Sequence, residues 1–227
     1  MKTEINSLIV KKYGLDAGAS VVGIVASMDF NFAPDGFKPS DVLDGCLSVI
    51  VLGVPFPKDA LNSTIEYTEY RKVIIEKMNN IVKEVAKRVK GNGYKALTVS
   101  GCGSKFIDGK PYGHISLKHA AELAGLGLIN RNYLLTNDQY GNLLWFGAVL
   151  TDADLIADKK AQYKVCDNCN KCIETCPSGA LNNPVLFGYK ECNKVCFKLA
   201  NNKMENELFF MSYSMPILFW QITKMPK

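Results

Sequence analysis

An α/β (α+β) domain followed by a small cysteine-bound domain is the architecture this sequence predicts, and three observations predict it. Up to about residue 155, stretches with helical spacing alternate with short apolar runs of strand length. From residue 166 the chain changes character: Cys166, Cys169, Cys172 and Cys176, followed by Pro177, read C-x2-C-x2-C-x3-C-P. Beyond them the chain runs into an apolar tail, residues 208–220. The predicted divisions are residues 1–155, 156–205 and 206–227.

In the first region, residues 4–13 read as a helix and residues 21–26, Val-Val-Gly-Ile-Val-Ala, as a strand. A loop rich in Pro, Asp and Gly covers residues 29–44. Residues 47–54 form a continuous apolar run that suits a buried strand, stopped by Pro55 and Pro57. Between residues 62 and 90, Ile74, Met78, Ile81, Val82, Val85 and Val89 recur at helical spacing, with Glu76 and Lys83 on the solvated face and Gly91 and Gly93 ending the run. Residues 94–100 read as the next strand. The turn Gly101-Cys102-Gly103-Ser104 allows a close approach of backbone to a ligand, or simply reverses the chain. Ser116 then opens a helix with a glycine stop at Gly125 and Gly127. A hairpin-like pair surrounds Asn137 and Gly141, and residues 143–150 form the last strand of the region.

Composition excludes disorder and secretion as explanations. The 227 residues are 48% hydrophobic and 22% charged without a low-complexity tract, as expected of a folded cytoplasmic protein. The first residues carry no signal-peptide pattern, and a chain of this size buries a core without a disulfide framework. A formal net charge of +5 permits an acidic partner or RNA but does not argue for one.

The cysteine spacing points to iron–sulfur chemistry. Three thiolates two residues apart curl around one compact [4Fe–4S] cluster, while the proline sends the fourth cysteine elsewhere. Zinc ribbons want two separated C-x2-C pairs or a Cys/His mixture, and no histidine follows His119. A partner motif at Tyr189-Lys-Glu-Cys192-Asn-Lys-Val-Cys196-Phe197 reads like C-x2-C-x3-C-P with its first cysteine replaced by Tyr and its proline by Phe. Because such motifs exchange their last cysteines, the complete ligand set is Cys166, Cys169, Cys172 and Cys196. Cys176 and Cys192 are left as free thiols, a redox-active pair, or two ligands of a second cluster completed by Cys46 or Cys102.

One further stretch carries a resemblance. His119-Ala-Ala-Glu122-Leu-Ala124-Gly125-Leu126-Gly127, then Asn130-Arg131-Asn132-Tyr133-Leu134-Leu135, Tyr140-Gly141 and Gly147-Ala148-Val149-Leu150-Thr151-Asp152, joined to the cysteine motif, resemble the epoxyqueuosine reductase family. That family is related to corrinoid-containing reductive dehalogenases. The resemblance implies a nitroreductase-like cobalamin-binding domain fed with electrons by a ferredoxin-like [4Fe–4S] domain. It also implies a low-potential donor such as ferredoxin or flavodoxin, and tRNA as a partner. Family members carry two clusters, a proton-donating carboxylate and a C-terminal helical-repeat domain. This sequence has only a remnant of the second cluster motif, and Pro111 aligns where the carboxylate would lie.

Asp108, Tyr112 and His114 are therefore the candidate proton donors. Gly101, Gly103, Ser104, His119 and Arg131 are the candidate cofactor-binding residues. Each has an ordinary reading beside the functional one. His114 and His119, the only histidines, could be satisfied structural residues, Tyr112 could pack, and the Asn130-Arg131-Asn132 segment could be a surface turn. The tail at residues 208–220 is too short, and too interrupted by Pro216, to span a bilayer, so it is expected to dock on protein. The resulting expectation is a cytoplasmic iron–sulfur oxidoreductase passing electrons to a corrinoid. The contrasting readings are a non-catalytic electron carrier or redox sensor, and a reductase using FMN in place of the corrinoid.

Overall fold

The computed structural model describes residues 2–61, 64–100, 105–107, 110–163, 166, 167, 169–174 and 181. By compactness the chain divides into one unit of residues 1–129 and 135–165 and another of residues 130–134 and 166–227.

The first unit is built on a four-stranded antiparallel sheet. Helix α1 (Ser7–Asp16) precedes strand β1 (Val21–Ala26), and a short helix α2 (Pro39–Val42) precedes strand β2 (Ser48–Pro55). The long helix α3 (Thr64–Gly91) leads to β3 (Ala96–Val99), and β4 (Lys105–Ile107) pairs with β5 (Lys110–Tyr112) as a separate ribbon. Helix α4 (Leu117–Leu123) is followed by the short pair β6 (Leu128–Ile129) and β7 (Leu135–Thr136), then β8 (Leu144–Thr151). The sheet order is β1-β2-β8-β3, with Ile50 opposite Ile24 on one side and Val149 on the other.

The apolar run of β2 belongs to a strand covered on both faces. Val49 and Val51 join Val25, Ala148, Leu150 and Val99 in the cluster that receives Ala120, Ala121 and Ala124 at α4. On the opposite face Leu52 packs against Gly14 of α1, and Gly147 lies beneath Met78 and Val82 of α3. Met78, Val82, Val85 and Val89 are buried at the spacing that keeps one stripe of α3 toward the sheet. Burial of each such side chain contributes roughly 1.5–3 kcal/mol. Continuous apolar runs therefore report two covered faces here, even though every strand pair is antiparallel.

The expected elements are present, with shifted ends. The first helix begins later than residue 4 because the Asn6 side chain accepts the Ile9 N–H at 3.0 Å and so caps a helix starting at Ser7. The loop at residues 29–44 contains α2, with Pro39 in its first turn, where a missing N–H costs nothing. Around the predicted hairpin, Asn137 does the turning. Its Oδ1 accepts the Gln139 and Tyr140 N–H groups at 2.9 and 3.0 Å, and its Nδ2 donates to the Leu126 carbonyl at 2.8 Å.

Two glycines fix how α4 sits. A Cβ on Gly23 of β1 would lie 2.5 Å from the Ala124 carbonyl oxygen, so the strand and the end of α4 touch through backbone. Gly125 adopts φ +73° and lies against the Lys159 carbonyl, ending α4 in a left-handed turn. Among the described residues no helix is long and apolar enough to cross a membrane. The tail at residues 208–220 lies outside the described residues.

Candidate functional site

The polar side of α4 borders a cleft of about 520 Å³ in the first unit, lined by Asp29, Asn31, Phe32, His119, Glu122, Leu123, Asp158 and Lys160. Ser116, predicted to cap α4, makes no side-chain bond to the helix backbone. Its Oγ instead lies 2.6 Å from Nδ1 of His119, one turn on. The His119 ring tilts against Phe32 with centroids 5.4 Å apart, and Phe32 in turn stacks on the buried Phe30. Burial pushes the His119 imidazole below its ordinary value and the charge of Lys118 acts the same way, with Glu122 opposing. His119 is accordingly neutral at pH 7 and presents one donor and one acceptor nitrogen.

Glu122 and Asp158 are structural as well as lining residues. Glu122 Oε1 accepts the Ile129 N–H at 2.6 Å, tying α4 to β6. Asp158 caps the free edge of β1: its N–H donates to the Ile24 carbonyl, and its Oδ2 accepts the Ile24 N–H, each at 2.8 Å. Lys11 of α1 pairs with the other carboxylate oxygen at 2.5 Å.

His114 stands in the segment between β5 and α4. It is half-buried, and its Nδ1 is enclosed without a hydrogen-bond partner among the described residues. An orphaned buried nitrogen is what a bound polar group would satisfy. Burial also pushes the half-buried Lys118 ammonium below its ordinary value. Tyr112 contributes backbone to β5, opposite Lys105, and Pro111 pairs with Phe106. Gly101, Gly103, Ser104, Cys102 and Asp108 lie outside the described residues.

The second unit begins at residues 130–134, where Tyr133 turns the chain at φ 58° and its N–H donates to the Asn130 carbonyl at 2.7 Å. Arg131 is exposed, and its guanidinium donates to Oδ1 of Asn170 within the same unit. Asn170 itself adopts φ 63°, the left-handed conformation that Asn tolerates. Its carbonyl accepts from Ile173 and Glu174, so helix α5 (Lys171–Glu174) curls the chain back just after Cys169. Asp167 Oδ1 accepts the Cys169 N–H at 3.1 Å.

Cys166, Cys169 and Cys172 are free thiols on this tight turn, Cys169 exposed and the others half-buried. Burial pushes the Cys172 thiol up, and the nearby Cys166 and Cys169 add to the rise. Three soft sulfur donors on one short turn fit an iron–sulfur cluster by donor chemistry. Among the described residues no three His, Cys, Asp or Glu side chains are drawn into a metal-holding group. Cys176, Cys192 and Cys196 lie outside those residues. Cys46 is buried in the core of the first unit, where its Sγ donates to the Ser48 carbonyl at 3.5 Å. That is the environment of a packing residue.

The fold is shared with the crystal structure of an epoxyqueuosine reductase bound to a tRNA-Tyr stem loop (TM-score 0.60, 20% identity, covering 83% of this chain and 56% of that one). It is shared equally with a reductive dehalogenase whose structure was related to B12-dependent dehalogenation (TM-score 0.59, 20% identity, 75% of this chain and 24% of that one). In sequence the chain is similar to epoxyqueuosine reductases over most of its length. The protein of that name from Gloeobacter violaceus is 29% identical over 199 residues, and the one from Prochlorococcus marinus is 26% identical over 192. These alignments take in 83% and 81% of this chain but 56% and 55% of the relatives, so the chain spans about half the length of the curated relatives it matches. No protein-family model matches it.

Sequence reasoning missed the residues facing α4 across the cleft, namely Asp29, Asn31, Phe32, Asp158 and Lys160. The one available signal was Asp29-Phe30-Asn31-Phe32, two aromatics interleaved with polar residues in a loop otherwise rich in Pro, Asp and Gly.

Proposed function

We propose that this chain is a reductase core in which a [4Fe–4S] cluster bound by Cys166, Cys169, Cys172 and Cys196 passes low-potential electrons to a corrinoid held by residues 1–155. The observation that carries this reading is the extent of the sequence likeness. It runs with epoxyqueuosine reductases through 83% of the chain, too far to be confined to either the α/β region or the cysteine motif. In this reading the ferredoxin-like part is residues 156–205, the protein is cytoplasmic, and the electron donor is a ferredoxin or flavodoxin. The bound corrinoid supplies strongly reducing cobalt, and the protein supplies binding, orientation and protons.

The residues of this chain divide that work. The glycines of Gly101-Cys102-Gly103-Ser104 would permit a close approach of backbone to the macrocycle, and His119 or, in the second unit, Arg131 would offer a neutral or a cationic donor to a polar substituent. With Pro111 at the family's carboxylate position, the proton comes from His114, Tyr112 or Asp108. His114 is favoured among them because its enclosed Nδ1 has no competing partner among the described residues. A tRNA substrate is the natural extension of the relatives' name, for a chain about half their length.

The test is a titration of anaerobically reconstituted protein with hydroxocobalamin and, separately, FMN, followed by visible absorption. A saturable shift of the cobalamin spectrum, with none for FMN, is expected. Tight FMN binding alone would overturn the corrinoid assignment, and a shift with neither would turn the reading to an electron carrier.

A further inference from the structure

We propose that the cleft between the residue 29–32 loop and α4 is a binding site for a purine nucleobase. The first observation is Phe32, a residue 51% exposed although its ring stacks on the buried Phe30 and tilts against His119. A half-exposed aromatic ring held against a buried neighbour is a stacking platform, because every base has a π-face to lay on it.

The second observation is a set of unspent recognition groups around that ring. Among the described residues, the side chains of Asp29, Asn31 and Lys160 take part in no hydrogen bond or ion pair, yet all three line the same cleft. Asn31 offers a donor and an acceptor side by side, Asp29 two acceptors and Lys160 three donors. The edge of a purine ring, with adjacent donors and acceptors, uses all three kinds.

Charge then discriminates among ligands. Asp158 is committed to Lys11 and to the Ile24 N–H, and Asp29 and Glu122 are balanced by Lys160 and by Lys118, whose charge reaches His119 in the same cleft. A cleft without excess positive charge gives a phosphate or carboxylate no advantage over a neutral ring. A cleft of about 520 Å³ also suits a ligand of nucleoside size, within the roughly 300–1,000 Å³ of small-molecule sites. The inference uses only residues of the first unit and does not rest on the corrinoid reading.

Isothermal titration of the full chain with adenosine and with guanosine tests it, alongside the 5′-monophosphates, free phenylalanine and a short single-stranded oligonucleotide. Saturable binding of at least one nucleoside is expected, no weaker than that of its monophosphate. Phe32→Ala should weaken it by about tenfold or more, the scale of base–aromatic stacking, and Phe32→Tyr should keep it. Asn31→Ala should change the preference between the two purines. Tighter binding of the oligonucleotide would assign the base to a nucleic acid, and equal binding to a free nucleoside. Failure of both nucleosides and the oligonucleotide to bind, phenylalanine binding as well as they do, or unchanged affinity in Phe32→Ala would overturn the site.

Discussion

Replacing Gly125 by alanine should be among the most damaging single-methyl changes in the first unit, and the structure says why. Gly125 sits at φ +73°, where a side chain costs about 1–2 kcal/mol. Its Cβ would also stand 2.3 Å from the Lys159 carbonyl oxygen, a backbone atom that cannot swing aside. Overpacking of that kind costs about 1–3 kcal/mol, so the two effects together predict a loss of about 2–5 kcal/mol. For a chain of this size that lowers the melting temperature by roughly 4–20 °C. Two companions separate the causes. Gly36 has φ +83° with nothing within 4 Å of an added Cβ, so Gly36→Ala carries the conformational cost alone. Gly23 has ordinary backbone but meets the Ala124 carbonyl at 2.5 Å, so Gly23→Ala carries the contact cost alone. Calorimetric melting of the three variants should rank Gly125→Ala as the least stable. A Gly125→Ala protein no less stable than Gly36→Ala would refute the close approach of Lys159, and with it the placement of Asp158 and Lys160 beside α4.

Two further outcomes follow from the site and the tail. Because burial holds His119 below its ordinary value, its NMR titration midpoint should lie under the ordinary imidazole value of about 6.5. The unfolded chain then binds the proton more readily, so His119 contributes stability above about pH 6.5 that is lost as pH falls through its folded value. Phe32→Ala, by uncovering the ring, should move the midpoint back up; a midpoint above 6.5 in the unaltered protein would contradict the burial argument. Deleting residues 208–220 should lower solubility or stability without changing fractionation, since the segment is too short and too proline-interrupted to span a bilayer. Recovery of the intact protein only after detergent extraction would count against that proposal.

What the sequence disclosed divides along lines of range. Strand β1 was legible to the residue, and the long stripe of Met78, Val82, Val85 and Val89 disclosed α3, because both signals are periodic and local. Strand direction was not legible: the apolar run of β2 records burial on two faces, and antiparallel pairing with β1 and β8 supplies that as well as parallel pairing would. Ser116 was legible as the start of α4, but its partner was not, since His119 competes with the helix backbone for the hydroxyl. The cleft joins residues 29–32 to residues 158–160 through α4, a juxtaposition made by Gly23, Gly125 and the edge-capping Asp158 rather than by any local pattern. The cysteine turn was the opposite case, its residues set by local spacing alone, with Cys166, Cys169 and Cys172 around the turn at Asn170.

Iron and acid-labile sulfide analysis of the anaerobically reconstituted chain tests the central claim most directly. The account predicts about four irons and four sulfides per chain, lost on replacing Cys166, Cys169, Cys172 or Cys196 by alanine and retained in Cys192→Ala. About eight irons per chain, or zinc in place of iron, would contradict it.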